Sequence, residues 1–331
     1  MRAASIEQTG PPEVIQIRDL PRPEPGPGQV VVRVRATSVN PIDLYIRSGM
    51  VAMPMAFPHV IGADFAGTVE ALGPGANRFR VGDRVWGSNQ GMLGRQGATA
   101  EYLAVDQALA YPTPANQPDA EAAAQALVGI TAHLGLFRKG QLQAGETVYV
   151  PGGSGGVGSM VIQMAKAAGA TVATSAGSPK KIELCRSLGA DLALNYKTDD
   201  LPARLREFAP EGYDVWFETT RDPNLEVNIP LLRKRGRMIV AAGRAARPPL
   251  PFGSLYPRDC SILGFAMFNA SPEEQQAAAD DMVTWAAAGK LRPPIGRTFP
   301  LAEAAEAHRF LEAATGQASG KLAGKVVITV D

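Results

Sequence analysis

The chain has 331 residues, 45% of them hydrophobic and 20% charged, with a formal net charge of +1. That length suits two domains of ordinary size. The neutral balance, without a basic block, argues against nucleic acid or a membrane surface as the main partner. No apolar run approaches the ~18 residues of a membrane span, and Met1–Gln8 lacks a signal-peptide core. The two cysteines, Cys185 and Cys260, cannot build a disulfide framework or a cysteine-rich zinc site. Both are expected to be small buried hydrophobes, and the chain is expected in a reducing cytoplasm.

The first ~120 residues read as short strands with irregular connections. Val14–Leu20 alternates, and Gln29–Val39 is a longer run rich in valine. Pro21–Gly28 between them is a loop, because proline fixes φ and removes ladder donors. Phe65–Leu72, Asp83–Gly87 and Ala100–Val105 supply further strands, so this part predicts a partly open β-barrel. From about residue 121 the pattern changes. Ala120–Gly129 is alanine-rich and helical, and strands then alternate with helices. Thr147–Val150, Thr171–Ser175, Leu192–Tyr196, Tyr213–Phe217, Arg237–Ala242 and Ser261–Phe265 are six predicted strands. Ser178-Pro179 opens one of the helices and Gly189 closes it. Such alternation predicts a doubly wound parallel sheet of six strands.

The tail holds a capping box at Ser271–Glu274 that starts an alanine-rich helix. A further helix is predicted over Pro300–Ala314 and a strand over Lys325–Val330. A terminal strand needs a partner, and the early β region is the natural one. The expected division is therefore 1–121 for the first domain, 122–264 for the nucleotide domain, and 265–331 for the return to the first.

The chain is organised around Val148–Gly158, where a β-branched run turns through glycines into an amphipathic helix. Val157, Met160, Val161, Met164, Ala165 and Ala168 form its apolar face. Gly153, Gly155 and Gly158 fit G-x-G-x-x-G, which serves a tight turn, close approach to a pyrophosphate, and close packing of helix on strand. The amide groups that open the helix face the phosphates. Gly153, Ser154, Gly155, Gly156, Val157 and Gly158 are thus candidate cofactor-binding residues.

Asn40–Gly49, Gly62–Val69, Gly82–Val85, Gly97–Tyr102, Gly152–Gly158, Leu188–Asp191 and Gly320–Val330 together resemble the zinc-free quinone oxidoreductases related to zeta-crystallin. These belong to the medium-chain dehydrogenase/reductase superfamily. The resemblance covers nearly the whole chain. It implies a GroES-like partly open β-barrel domain plus a doubly wound Rossmann domain, NADPH-dependent reduction, and a homodimer. Zinc alcohol dehydrogenases share this architecture and hold zinc with two cysteines and a histidine. The matching places here are Asn40, Ala63 and Val128, so no metal is expected. His59 and His133 are expected in packing or loop roles and His308 at the surface. Without a Lewis acid, chemistry should favour quinones and α,β-unsaturated carbonyls.

NAD-specific sites place an acid about 20 residues past the glycines. Here Thr174–Lys181 has no carboxylate and ends in two lysines. Ser175 and Lys181 are expected to hold the 2′-phosphate of NADPH, since a cation at a helix start is otherwise unfavourable. By resemblance, Tyr196, Thr131, Gly243 and Phe265 also approach the cofactor. Asn40 and Tyr45 are the candidate catalytic residues, as donors to the acceptor oxygen, and Asp43 is expected to be a structural hydrogen-bonding residue. Val51 stands where enoyl-thioester reductases and many quinone reductases carry tyrosine, which leaves the pocket more apolar. Met50–Phe57 is either an adaptable wall for flat acceptors or loop packing. Ser88–Gly97 has the look of an inserted loop. Two other functions remain open: an NADPH-dependent alkenal or enone reductase, and a cofactor-binding structural or RNA-contacting protein. The neutral charge lowers the last.

Overall fold

The computed structural model describes residues 1–315 and 322–331. Gly320, at the head of the last signature segment, lies outside the described residues. The chain forms two compact units, one of residues 1–127 and 271–331, the other of residues 128–270. Both junctions fall six residues beyond the expected boundaries. The first nine residues of the long helix stay with the first unit, where the Leu127 amide donates to Asp64 Oδ1 at 3.0 Å.

The first unit begins with β1 (Arg2–Ile6), β2 (Gln16–Asp19), β3 (Gln29–Val39), α1 (Pro41–Ser48), β4 (His59–Val60), β5 (Phe65–Leu72), β6 (Arg84–Gly87), β7 (Tyr102–Asp106), β8 (Ala110–Pro112) and α2 (Asp119–His133). The valines of β3 are almost wholly buried, as befits a strand paired on both sides. Helix α1 starts where it does because Pro41 at the first helical position needs no amide partner. Asp43 also accepts the Asn40 amide at 2.7 Å. It ends at Gly49, whose φ of 81° suits only a residue without Cβ. Helix α2 runs on through a π-helical turn to Lys139. This 21-residue stretch is long and apolar enough to cross a membrane, contrary to expectation, but 78% of its apolar window is buried inside the protein, as in a core helix.

The second unit contains β9 (Thr147–Pro151), α3 (Gly156–Ala167), β10 (Thr171–Ala176), α4 (Pro179–Ser187), β11 (Leu192–Asn195), α5 (Leu201–Phe208), β12 (Tyr213–Glu218), α6 (Leu225–Asn228), β13 (Leu232–Val240), α7 (Phe252–Leu255) and β14 (Ser261–Gly264). Its sheet has six parallel strands in the order β11-β10-β9-β12-β13-β14 among the described residues. That is the doubly wound arrangement the alternating sequence predicts. Met160, Val161, Met164 and Ala165 of α3 are fully buried. A cluster of Tyr149, Tyr213 and Trp216 anchors the core, with the Tyr149 and Trp216 rings 4.3 Å apart.

The chain then returns to the first unit through α8 (Pro272–Ala287), β15 (Ile295–Pro300), α9 (Ala304–Thr315) and β16 (Lys325–Thr329). The capping box forms as expected: Ser271 Oγ accepts the Glu274 amide and the Glu274 carboxylate accepts the Ser271 amide. Helix α9 starts later than expected, because Pro300 ends a strand and Leu301–Glu303 form a 3-10 turn. Strand β16 pairs antiparallel with β3, Val326 opposite Val39 and Thr329 opposite Ala36. The larger sheet runs β15-β16-β3-β5-β6-β8, with β7 also on β3, and a smaller one runs β2-β1-β4.

Candidate functional sites in the two units

Parallel strands bring all their carboxyl ends to one edge, and there the second unit gathers its candidate residues. β9 leads into the glycine turn. Gly152 takes a φ of 69°, which reverses the chain. A Cβ on Gly153 would lie 2.2 Å from Thr174 Oγ1, and one on Gly158 would lie 2.4 Å from the Gly152 carbonyl oxygen. Both positions therefore exclude any side chain. Gly155 is different: its nearest neighbour would be 3.3 Å away, so its task faces outward, toward whatever the turn holds. Helix α3 has no intrahelical acceptors for the amides of its first turn, Gly156 to Gly158. These amides and the helix dipole make an anion cradle.

The turn is tied to β10, since the Gly153 amide donates to the Ser175 carbonyl at 3.2 Å. Ser175 is buried, and its hydroxyl pairs with the Tyr149 hydroxyl at 2.9 Å. That pair ties Ser175 to β9 at the edge. The Tyr196 amide donates to the Ala176 carbonyl at 3.2 Å. A Cβ on Gly177 would meet the Tyr196 hydroxyl at 2.4 Å, so the exposed tyrosine ring lies over a glycine that makes room for it. Lys181 is in the first turn of α4, and burial, then the neighbouring Lys197, lower its pKa. Neither lysine has an ion-pair partner among the described residues. Ser178, the residue before α4, makes no side-chain cap. Lys181 and the Ser178 hydroxyl at the start of α4, whose first turn has no carboxylate, with Lys197 close enough to act on Lys181, form a site chemically suited to a phosphate. Lys197 was not foreseen; its signal is a second cation directly after Tyr196. Gly243 lies beyond β13 with a φ of 82°. Phe265 follows β14 and donates its amide to the Val240 carbonyl. Thr131 lies within α2, buried.

In the first unit, Asn40 and Tyr45 occupy different situations. Asn40 is fully buried, and its amide is used internally. Nδ2 donates to Asp64 Oδ2 at 2.7 Å, and Oδ1 accepts from Lys325. Asp64 also accepts from Ser38 at 2.6 Å, Ser88 at 2.7 Å and the Leu127 amide at 3.0 Å. Burial, then the Asp64 charge, raise the Asp43 carboxyl to about 7 against the Asn40 amide and Lys325. Lys325 is itself buried, and burial lowers its pKa against the pull of Asp64 and Asp43. Asn40 thus braces the start of α1, whereas the Tyr45 hydroxyl makes no hydrogen bond among the described residues.

The two loops that flank this helix are joined. Gly94 donates to the Pro54 carbonyl at 3.2 Å, and the Gln96 side chain reaches Ala56, Pro58 and Val60. Met50–Phe57 and Ser88–Gly97 thus make one lobe, with Met50 and Phe57 exposed and Val51 buried. The Val51 amide holds the lobe to the Tyr45 carbonyl at 3.0 Å.

His308 is buried, not at the surface, and burial followed by the Arg47 charge pushes its imidazole down to about 3. His59 and His133 are also buried. Cys185 is buried as expected, its thiol pushed up to about 12 by burial, while Cys260 is half-buried. Among the described residues no three His, Cys, Asp or Glu side chains cluster as a metal site. Ala63 and Val128 carry no donor atoms.

Residues 26–115 match the family model for an alcohol dehydrogenase GroES-like domain, and residues 156–284 that for a zinc-binding dehydrogenase. The chain is 33% identical over 324 residues to a quinone oxidoreductase of Homo sapiens, covering 97% of each. Among solved structures it is similar to an NAD-dependent alcohol dehydrogenase, with a TM-score of 0.89, 34% identity and 100% of each chain covered. It also resembles a mycobacterial protein complexed with NADPH, with a TM-score of 0.84 and 30% identity, over 99% of this chain and 100% of that one.

Proposed function

The chain belongs to the quinone oxidoreductase family of the medium-chain dehydrogenase/reductase superfamily and is an oxidoreductase; from that premise we propose that it uses NADPH, and no metal, to reduce a quinone or similar conjugated carbonyl. The observation that carries the cofactor choice is the pair Lys181 and Lys197, without an ion-pair partner among the described residues, beside a strand end without a carboxylate. An acid there would bond a ribose hydroxyl and repel a phosphate; lysines do the reverse.

When bound, NADPH supplies the hydride. The protein's part is to hold and orient. The amides of Gly156, Val157 and Gly158 hold the pyrophosphate on the glycine turn, and Gly155 leaves room for it. Lys181, Lys197 and Tyr196 hold the 2′-phosphate. Thr131, Gly243 and Phe265 shape the nicotinamide end. Tyr45 donates its hydroxyl hydrogen to the acceptor oxygen as charge develops there, and Asn40 contributes by fixing the helix that carries Tyr45. The donor set supports metal-free chemistry: two of the three places where zinc relatives bear ligands hold Ala63 and Val128.

Exposed Phe252 and Tyr256 precede β14, one of the two edge strands of the parallel sheet among the described residues. That edge supports a homodimer, which light scattering tests. A cytoplasmic location and a small hydrophobic acceptor complete the reading. Steady-state assays with NADPH and NADH against quinones, enones and alcohols decide it. Quinone turnover with NADPH supports the proposal, faster enone turnover makes the chain an enone reductase, and robust alcohol oxidation refutes the metal-free account.

A further inference from the structure

The side chain of Asn40, the residue before α1, serves two ends of the fold. It closes a capping box with Asp43, as a residue in that place ordinarily does. Its Oδ1 also accepts from Lys325, which arrives from β16, 285 residues away in the chain. Lys325 is the first residue of a strand whose next three residues are buried and apolar, and it is itself buried. Its ammonium also donates to the Val39 carbonyl at 3.2 Å and lies 3.8 Å from Asp64 Oδ2. The Asn40 amide is therefore held by opposite charges at its two ends, the ammonium at oxygen and the Asp64 carboxylate at nitrogen. Reversing it would set NH2 against ammonium and carbonyl against carboxylate.

We propose that Lys325 is a positioning residue: by donating to Asn40 Oδ1 it fixes the polarity of that amide, and with it the first turn of α1 that presents Tyr45. The inference rests on the reading of Tyr45 as the donor to the acceptor. The neighbouring groups fit this role. Asp64 meets four donors from β3, Asn40, the segment after β6 and α2, which holds it still. Asp43 takes the Asn40 backbone amide and so completes the capping box at the helix start.

The test compares Lys325→Met, which cannot donate, with Lys325→Gln, which donates without charge. With NADPH and an ortho-quinone, K325M is expected to lose at least tenfold in kcat, while its KM for NADPH stays within twofold. K325Q is expected to recover most of that loss. The proposal is overturned if K325M keeps kcat within twofold, or if K325Q is no better than K325M. If K325M does not fold, K325Q against wild type remains: a tenfold loss of kcat in K325Q overturns the hydrogen-bond role. If the wild-type protein reduces no quinone or enone, the reductase reading fails by itself. The positioning role is then judged from crystal structures of the two variants. A reversed Asn40 amide or displaced α1 in K325M, restored in K325Q, supports it, and an unchanged Asn40 in K325M overturns it.

Discussion

Two buried groups of the first unit titrate in opposite senses, and replacing either should expose the other. His308 on α9 is buried with no partner for Nδ1, and burial and Arg47 lower its pKa from 6.5 to about 3. Between those values the unfolded chain holds a proton that the native state lacks. The stability from neutral His308 is thus complete above pH 6.5 and is lost as pH falls toward 3. Asp43 behaves inversely: burial and Asp64 raise it from 3.8 to about 7. Its stabilising contribution is complete below pH 3.8 and is lost as pH rises through 7. Across about pH 4.5 to 6.5 the two proton differences cancel. One proton corresponds to about 1.4 kcal/mol per pH unit. Relative to wild type, His308→Gln should therefore gain about 3 kcal/mol in relative stability on going from pH 6.5 to 4.5. Asp43→Asn, which keeps an acceptor for the Asn40 amide, should lose about as much over the same interval. Urea denaturation followed by circular dichroism at three pH values reads both slopes. Curves that run parallel to wild type for both variants would refute the reasoning.

Arg47 is wholly buried, and Glu312 is its one ion-pair partner among the described residues, with Nε and Nη1 left unbonded. Glu312→Gln should cost about 2 kcal/mol of stability in urea denaturation, toward the low side because Glu312 is partly in water; a loss under about 0.5 kcal/mol would count against the pair. Gly158→Ala forces a methyl onto the Gly152 carbonyl oxygen. It should cost about 2 kcal/mol and weaken dinucleotide binding at least tenfold by calorimetry, and near-native binding would mean that the turn does not hold the cofactor. Tyr45→Phe removes a hydroxyl that bonds nothing among the described residues. Thermal stability should be unchanged while quinone kcat/KM falls about tenfold. Equal kcat/KM would remove Tyr45 from the chemistry.

The parallel sheet and glycine turn were legible because their signals are local: β-branched runs, a glycine spacing and a helical stripe occupy neighbouring residues. The terminal strand was legible through a rule about unpaired edges. Helix α1 was recognised as a signature but not as a helix, since its eight residues span barely two turns and begin with Asn-Pro. His308 was misplaced, although it falls on the stripe of Ala304, Ala307 and Leu311 at helical spacing and so faces the core. The pairing of Ser175 with Tyr149 was not legible, because the two lie 26 residues apart on neighbouring strands. The partnership of Lys325 with Asn40 lies wholly in tertiary structure. In sequence, Lys325 is one cation at the start of a valine-rich strand.

The most direct test of the central claim is a fluorescence titration of NADPH and NADH, on the wild-type protein and on the Lys181→Ala, Lys197→Ala double variant. Two charge-assisted hydrogen bonds together amount to about 100-fold in affinity. The account predicts that wild type binds NADPH more tightly by about that factor and that the double variant binds both cofactors alike. A wild type that prefers NADH, or a preference for NADPH that survives loss of both lysines, would contradict it.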